Sequence, residues 1–356
     1  MKRILLLLTI ILLTINGYGQ NIKKNNVNSY VDSAMFYFNK SKATKIIDTL
    51  AFVNGIKMMD SIPVDENSIK RIENAAENFK VIKKPDYYTA IEVAILISFN
   101  NAHEYYKEID FGKKIINEYD ANPNPDDRNL FLRALTQLRI PFRVSDKLAE
   151  GFDYYTSRLK LYFQRNDSAA ITICYYVNSG FYFTKGLYDL ALYNLKKSIS
   201  YINNYDTTYH GGLTGLFGWI YNTSYLGDVY NITGDYRNTI LSQQSCLKYP
   251  MHNQRDSTNR AFIYRNIAYA KLMLNETDSV IDLLNEVITF AKDVNIPGLI
   301  ANCYQIKGLY YLKMNQPDSS VFYLQECNKM ISKYGFTASM QGVILTPKYY
   351  LAQVRI

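Results

Sequence analysis

The chain has 356 residues, 48% of them apolar and 20% charged, which is enough to bury a sizeable core and excludes a disordered, highly charged chain. Its 40 basic residues against 32 acidic ones leave a formal charge of +8, carried on dispersed pairs such as Lys83-Lys84, Lys113-Lys114 and Lys196-Lys197 that suit solvated helix faces and not a nucleic-acid stripe. The histidines and cysteines show no C-x-x-C and no paired histidines at helical spacing, and phosphate loops and G-x-S-x-G are absent, so no catalytic residue, metal or cofactor is expected.

At the N-terminus, Met1-Lys2-Arg3 precedes an apolar run from Ile4 to Ile15, broken only by Thr9 and Thr14, and then Asn16-Gly17-Tyr18-Gly19-Gln20. Positive charge, a short apolar core and small residues before a cleavage point make residues 1–19 a secretory signal peptide. The run is shorter than the roughly 20 apolar residues a bilayer span needs. The mature chain is expected to begin at Gln20, periplasmic or secreted, with no stable membrane insertion after cleavage. Heavy use of Asn, Lys, Ile and Tyr leans towards a bacterial source.

Residues 20–85 contain stretches of helical apolar spacing at Tyr30 to Phe38, Thr44 to Met59 and Asn67 to Val81, the pattern of a degenerate helical repeat. Over 86–334 the pattern becomes regular. Small residues recur at Gly112, Gly151, Ala191, Thr239, Val280 and Ser320, about forty residues apart with one longer step after Ala191, as in a stack of helix pairs. Ala90 to Tyr105 with Asp110 to Tyr119 is the first expected pair, and Leu130 to Ile140 with Lys147 to Phe163 the second. Pro141 should end or kink the first helix of that second pair and leave Phe142 to Ser145 as its turn.

Further along, the corners between paired helices are expected at Gly186, Gly234, Asn275 and Asn315, residue types that best accept positive φ. Ser179, Gly227, Ala268 and Gly308 stand at one register before those corners, where two helices cross closely. Polar, turn-rich links separate the pairs at residues 122–127, 203–215, 250–259 and 295–298. After 334, Lys348 to Ile356 reads as a capping or incomplete-repeat helix within 335–356.

The most complete unit is Leu226-Gly227-Asp228-Val229-Tyr230, followed by Gly234-Asp235-Tyr236. It resembles the tetratricopeptide repeat motif, and Tyr182, Gly186, Tyr188 and Ala191 repeat it one unit earlier. The family's unit is about 34 residues; longer helices or links would account for the longer period here. HEAT-type repeats, with a longer native period, are the alternative. The resemblance implies an all-α, right-handed superhelical solenoid of antiparallel helix pairs, about six repeats long, acting as a noncatalytic protein–protein interaction module.

In that family the first helix of each pair lines a concave surface that takes extended peptides. Carried over, this places Tyr176, Phe183, Tyr221, Ser224, Asp228, Asn231, Arg265, Tyr269, Asn302 and Gln305 along the groove, with a protein or peptide ligand as partner. Tyr221 and Arg265 are expected there as exposed anchors, while others of the set could equally fill the inner curve of the stack. The alternative role is the sensor portion of a bacterial signalling protein, of histidine kinase or transcriptional regulator type, whose effector lies beyond this sequence.

Two smaller patterns stay open at this level. Cys246 and Cys327 share one register after their corners and read as small interior residues; a disulfide between Cys303 and Cys327, on opposite helices of one hairpin, is the other reading. Asp32-Ser33-Ala34, Asp167-Ser168-Ala169 and Asp278-Ser279-Val280 read as helix-start caps or as acceptors for bacterial O-glycosylation.

Overall fold

The computed structural model describes residues 27–43, 49–59, 65–202, 215–248 and 254–334. The expected signal peptide and the segment 335–356 lie outside them. The described residues contain no strand. In chain order the helices are α1 (Val27–Ala43), α2 (Thr49–Met59), α3 (Glu66–Val81), α4 (Pro85–Asn101), α5 (Tyr105–Ala121), α6 (Arg128–Gln137), α7 (Arg139–Val144), α8 (Leu148–Gln164), α9 (Ser168–Thr184) and α10 (Tyr188–Tyr201). They continue with α11 (Gly215–Thr233), α12 (Tyr236–Leu247), α13 (Gln254–Met273), α14 (Val280–Asp293), α15 (Pro297–Lys313) and α16 (Pro317–Tyr334). The chain divides into two compact units, Met1–Trp219 and Ile220–Ile356, with the boundary inside α11.

Helix starts follow local chemistry. Asp65, Asp167 and Asp235 accept hydrogen bonds from the backbone N–H groups of Ser68, Ala170 and Asn238 at 2.9, 3.0 and 3.2 Å, satisfying donors that a helix leaves open in its first turn. Pro85 and Pro297 open α4 and α15, where a missing N–H costs nothing. Of the Asp-Ser triplets, only Asp167 caps a helix in this way: Asp32 lies inside α1, paired with Arg71, and Ser279 precedes α14 without a side-chain cap.

The corners carry the repeat. Gly186, Gly234, Asn275 and Asn315 all have positive φ, from 55° to 81°, and in each case the next N–H returns to a carbonyl of the helix just ended, as from Asp235 to Tyr230 at 2.9 Å. Lys83, His103, Asn166 and Asn295 adopt the same left-handed conformation. Corners and links thus use one turn, about every twenty residues where successive turns are preserved, which is half the period.

In the N-terminal unit the expected boundaries need two corrections. The turn between α4 and α5 is at Ala102 to Glu104, with His103 in the left-handed region, so Tyr105 starts the second helix instead of ending the first. Pro141 does not leave Phe142 to Ser145 as a turn. The break falls at Leu138, three residues before the proline, and Phe142 to Val144 are helical within α7. Pro141 cannot donate to the Gln137 carbonyl, which is where the helix jogs; Phe142 N–H still reaches the Leu138 carbonyl at 3.3 Å and carries the helix on.

Small residues sit where the reading put them. Ala191, Thr239, Val280 and Ser320 are fully buried, and Gly112 and Gly151 are buried within α5 and α8. Within single hairpins the fit is tight: a Cβ on Gly308 would lie 2.6 Å from Leu324 Cγ, and one on Gly227 2.6 Å from Gln243 Nε2. Ser320 Oγ donates to the Gly308 carbonyl at 2.8 Å, and Thr239 Oγ1 to the Gly227 carbonyl at 3.4 Å, the same bond in two hairpins.

Neighbouring hairpins are tied by pairs separated by about one repeat in sequence. In the N-terminal unit these are Asp32–Arg71 at 2.6 Å, Glu73–Lys114 at 2.9 Å, Asp120–Arg158 at 3.4 Å, and a two-pronged Arg128–Asp167 contact at 2.8 and 2.9 Å. In the C-terminal unit, Lys313 Nζ donates to the Leu272 carbonyl at 2.7 Å and to Asn275 Oδ1 at 2.9 Å. Contacts that link each unit only to its neighbour are what a repeat stack requires.

Candidate functional site

The ten groove residues fall in both units. In the N-terminal unit, Tyr176 on α9 is buried beneath the Arg139 guanidinium, 5.0 Å from its ring, and its hydroxyl accepts a hydrogen bond from Arg139 Nη1. Phe183, two turns along, is half-buried and meets Tyr188 edge-on at 5.6 Å. These two are packing residues of their hairpin as much as surface.

In the C-terminal unit the other eight lie on α11, α13 and α15, the first helices of three consecutive hairpins. Three of them form a lateral network. The Tyr221 hydroxyl accepts from Asn259 Nδ2 at 3.2 Å; the Ser224 carbonyl accepts from Gln243 Nε2 at 3.1 Å; and the Asp228 carboxylate accepts from Asn266 Nδ2 and, at 3.5 Å, from Gln243 Nε2. Tyr221 is therefore half-buried and engaged, not an exposed anchor.

The remaining five, Asn231, Arg265, Tyr269, Asn302 and Gln305, line one small cleft together with Ile306 and Leu309. Asn302, Gln305 and Asn231 are 2%, 3% and 7% exposed, so the face is an indentation in the packed surface and not a row of protruding side chains. Leu309 was missed although it stands at the same distance before Asn315 as Tyr269 does before Asn275. Asn266, which holds Asp228, was also missed; its signal is its position one repeat after Asp228.

Arg265 is the anomaly of this cleft. Its guanidinium packs 5.7 Å from the Phe262 ring and makes no hydrogen bond to any described residue, with Nε closed to solvent; Asn231 Oδ1 is likewise closed and unmatched among the described residues. Burial pulls the Arg265 pKa down, and the nearby Asp228 charge opposes that pull. Burial in turn raises Asp228, against the Arg265 charge and the Asn266 hydrogen bond. Arg265 is therefore a half-buried cation that feels the charge of Asp228, and the expectation of an exposed anchor is corrected. Polar atoms left unpaired in this way cost about 1–3 kcal/mol each.

All four cysteines are free and buried. Burial pushes the Cys246, Cys303 and Cys327 thiols up to about 12, which suppresses the thiolate needed for exchange. The Cys303–Cys327 bridge is not formed; Cys327 and Cys303 fill interior positions of α16 and α15. Among the described residues no group of metal-ligating side chains comes together, and no helix is long and apolar enough to cross a membrane.

No family model matches the chain, and no curated protein does. Among solved structures it is similar to a Signal Transduction ATPase with Numerous Domains protein with a tetratricopeptide repeat sensor, from Pyrococcus horikoshii, with a TM-score of 0.54 and 13% identity over 94% of this chain and 52% of that one. The chain thus spans about half the length of that protein, and the likeness is one of fold. Helix pairs, left-handed corners and this likeness together define an all-α, tetratricopeptide-like helical repeat fold.

Proposed function

We propose that the chain is a noncatalytic interaction module that binds a segment of another protein against the first helices of its C-terminal hairpins. The observation that carries this reading is the cleft where Asn231, Arg265, Tyr269, Asn302 and Gln305 meet. A guanidinium without a hydrogen bond to any described residue, three carboxamides, a phenol ring and two aliphatic side chains offer the polar centre and apolar rim that suit recognition of a protein segment. Export to the periplasm or beyond, with cleavage before Gln20, belongs to the same reading and rests on the N-terminal sequence; a nucleic-acid partner and stable membrane insertion do not.

Capture from an envelope extract of the native host tests it, with the mature wild-type chain and the Asn231→Ala variant as paired baits. The carboxamide of Asn231 makes no hydrogen bond to a described residue, so its removal should not lower the melting temperature while it releases the partner. Equal capture by both baits would move binding to another face. N-terminal sequencing of the exported chain should read from Gln20 or within a few residues; an intact Met1 in the membrane fraction would contradict export with cleavage.

A sensor role is the second reading, favoured by the structural neighbour, whose repeats are described as the sensor of a signalling ATPase. The same cleft would then receive the signal, and the captured partner would change the activity of an effector expressed with this chain.

A further inference from the structure

Among the described residues the serines that directly follow an aspartate are Ser33, Ser168, Ser257, Ser279 and Ser319, and all but Ser279 are helical. Asp32 is paired with Arg71, and Asp167 caps α9 and holds Arg128. Asp278 and Ser279 are instead exposed in the corner between α13 and α14. The Asp278 carboxylate makes no hydrogen bond or ion pair to a described residue.

That corner departs from its counterparts in two coupled ways. Residues 274–279 separate α13 from α14, whereas 185–187, 234–235 and 314–316 close the other hairpins. Val280 nonetheless follows Asn275 at the same distance as Ala191 follows Gly186, so nothing is inserted and the first turn of the second helix is opened instead. Ser279 opens it by adopting φ 63°, a left-handed conformation that costs a residue with a side chain about 1–3 kcal/mol. Lys271 stands where the other hairpins have Tyr182, Tyr230 and Tyr311. Its Nζ donates to the Asp278 carbonyl at 3.2 Å and to Ser279 Oγ at 3.0 Å, which pins the opened turn and leaves the serine O–H without an acceptor among the described residues.

We propose that Ser279 is the acceptor of an O-linked sugar, on the reading that the chain is exported. Its Oγ forms a bond to the anomeric carbon of a sugar diphosphate, and the bond from that carbon to the diphosphate breaks. The diphosphate leaves with the electron pair, and the hydroxyl proton passes to a base on the transferase. Ser279 caps no helix N–H through its side chain, so the substitution removes no helix bond, and the added bulk lies at the surface. The uncommitted Asp278 carboxylate beside it is a charge by which a transferase can tell this serine from the helical ones. An exposed serine held in a strained conformation is the kind of outlier that points to function.

The test purifies the full chain, expressed from Met1, out of the envelope of the native host, and fragments its peptides by electron transfer, which keeps glycosidic bonds intact. The peptide carrying Ser279 should be heavier by one or more sugar residues, with the added mass on Ser279. Ser279→Gly, which suits the left-handed conformation, should lose that mass completely, and Asp278→Asn should lose most of it. A bare Ser279 in a chain whose N-terminal peptide starts at or near Gln20 overturns the proposal and leaves export standing. A bare Ser279 in a chain that keeps Met1 overturns the export reading, and the proposal with it. A phosphate in place of the sugar, sugar confined to Ser33, Ser168, Ser257 or Ser319, or full occupancy in Asp278→Asn overturns the assignment too.

Discussion

Asn231 and Asp228 lie one turn apart on α11, yet the Asp228 carboxylate is held by two neighbours and the Asn231 carboxamide by no described residue. Substitution should separate them. Asn231→Ala removes a buried oxygen that no described residue bonds, so it should leave stability unchanged or raise it by up to about 1 kcal/mol. Arg265→Ala should cost about 1–3 kcal/mol, since Asp228 loses the charge that offsets its burial; urea titration of both variants measures the difference. Equal stability would mean that Arg265 contributes nothing to holding Asp228 ionised. Cysteine chemistry gives an independent check at the same scale. A thiol reagent should label none of the four cysteines in the native chain and all four after unfolding, and the mass should not change with reductant; a reductant-dependent mass would restore the Cys303–Cys327 bridge.

Hairpins are where the period is made, and Gly308 is the sharpest probe of one. A methyl group there would stand 2.6 and 2.7 Å from two carbons of Leu324, so Gly308→Ala should cost about 1–3 kcal/mol by overpacking. Denaturant unfolding would show it, and an undisturbed midpoint would mean that α15 and α16 cross elsewhere. Corners respond to backbone conformation instead: Asn315→Gly should stabilise by about a few tenths of a kcal/mol and Asn315→Val should destabilise, because φ is 55°. The four corners at Gly186, Gly234, Asn275 and Asn315 were readable because Gly and Asn announce positive φ. Lys83 and His103 take the same conformation without any such signal. They are held there by the next N–H returning to the finished helix, Lys84 to Phe79 and Glu104 to Phe99, each at 2.9 Å, and tertiary closure outweighs residue preference. The kink around Pro141 was displaced for a related reason: a proline's effect appears at the carbonyl it fails to bond, not at its own position. That Asn231, Arg265, Tyr269, Asn302 and Gln305 lie on neighbouring first helices was readable from spacing to the corners. The burial of Asn302 and the balance of Arg265 by Asp228 were not, because they depend on three helices meeting.

At the scale of the whole chain, the N-terminal unit encloses two carboxyl groups that favour protonation. Glu108 is fully buried, accepting from Asn100 Nδ2 at 2.9 Å and Gln137 Nε2 at 3.2 Å, and burial pushes it up to about 7. Glu92 is pushed up to about 8 by burial and by Glu73, Glu77 and Glu118, with Lys114 opposing. Between their unfolded values near 4.5 and these folded values the native chain holds more protons than the unfolded one. Stability should therefore fall as pH rises through that window and level off above it, by on the order of 3–5 kcal/mol per group. Thermal melts across the window should show the decline, and Glu108→Gln should flatten part of it; a melting temperature that rises with pH there would contradict the burial of these groups.

The central claim is that a stack of helical hairpins presents the first-helix face of its C-terminal unit to another protein. Site-specific photo-cross-linking in the native host tests it most directly, with p-benzoylphenylalanine placed at Tyr269, in the cleft, or at Leu241, which is 63% exposed on the second helix α12. The account predicts a discrete protein adduct from position 269 and none from 241. An adduct from 241 alone, or from neither position, would contradict it.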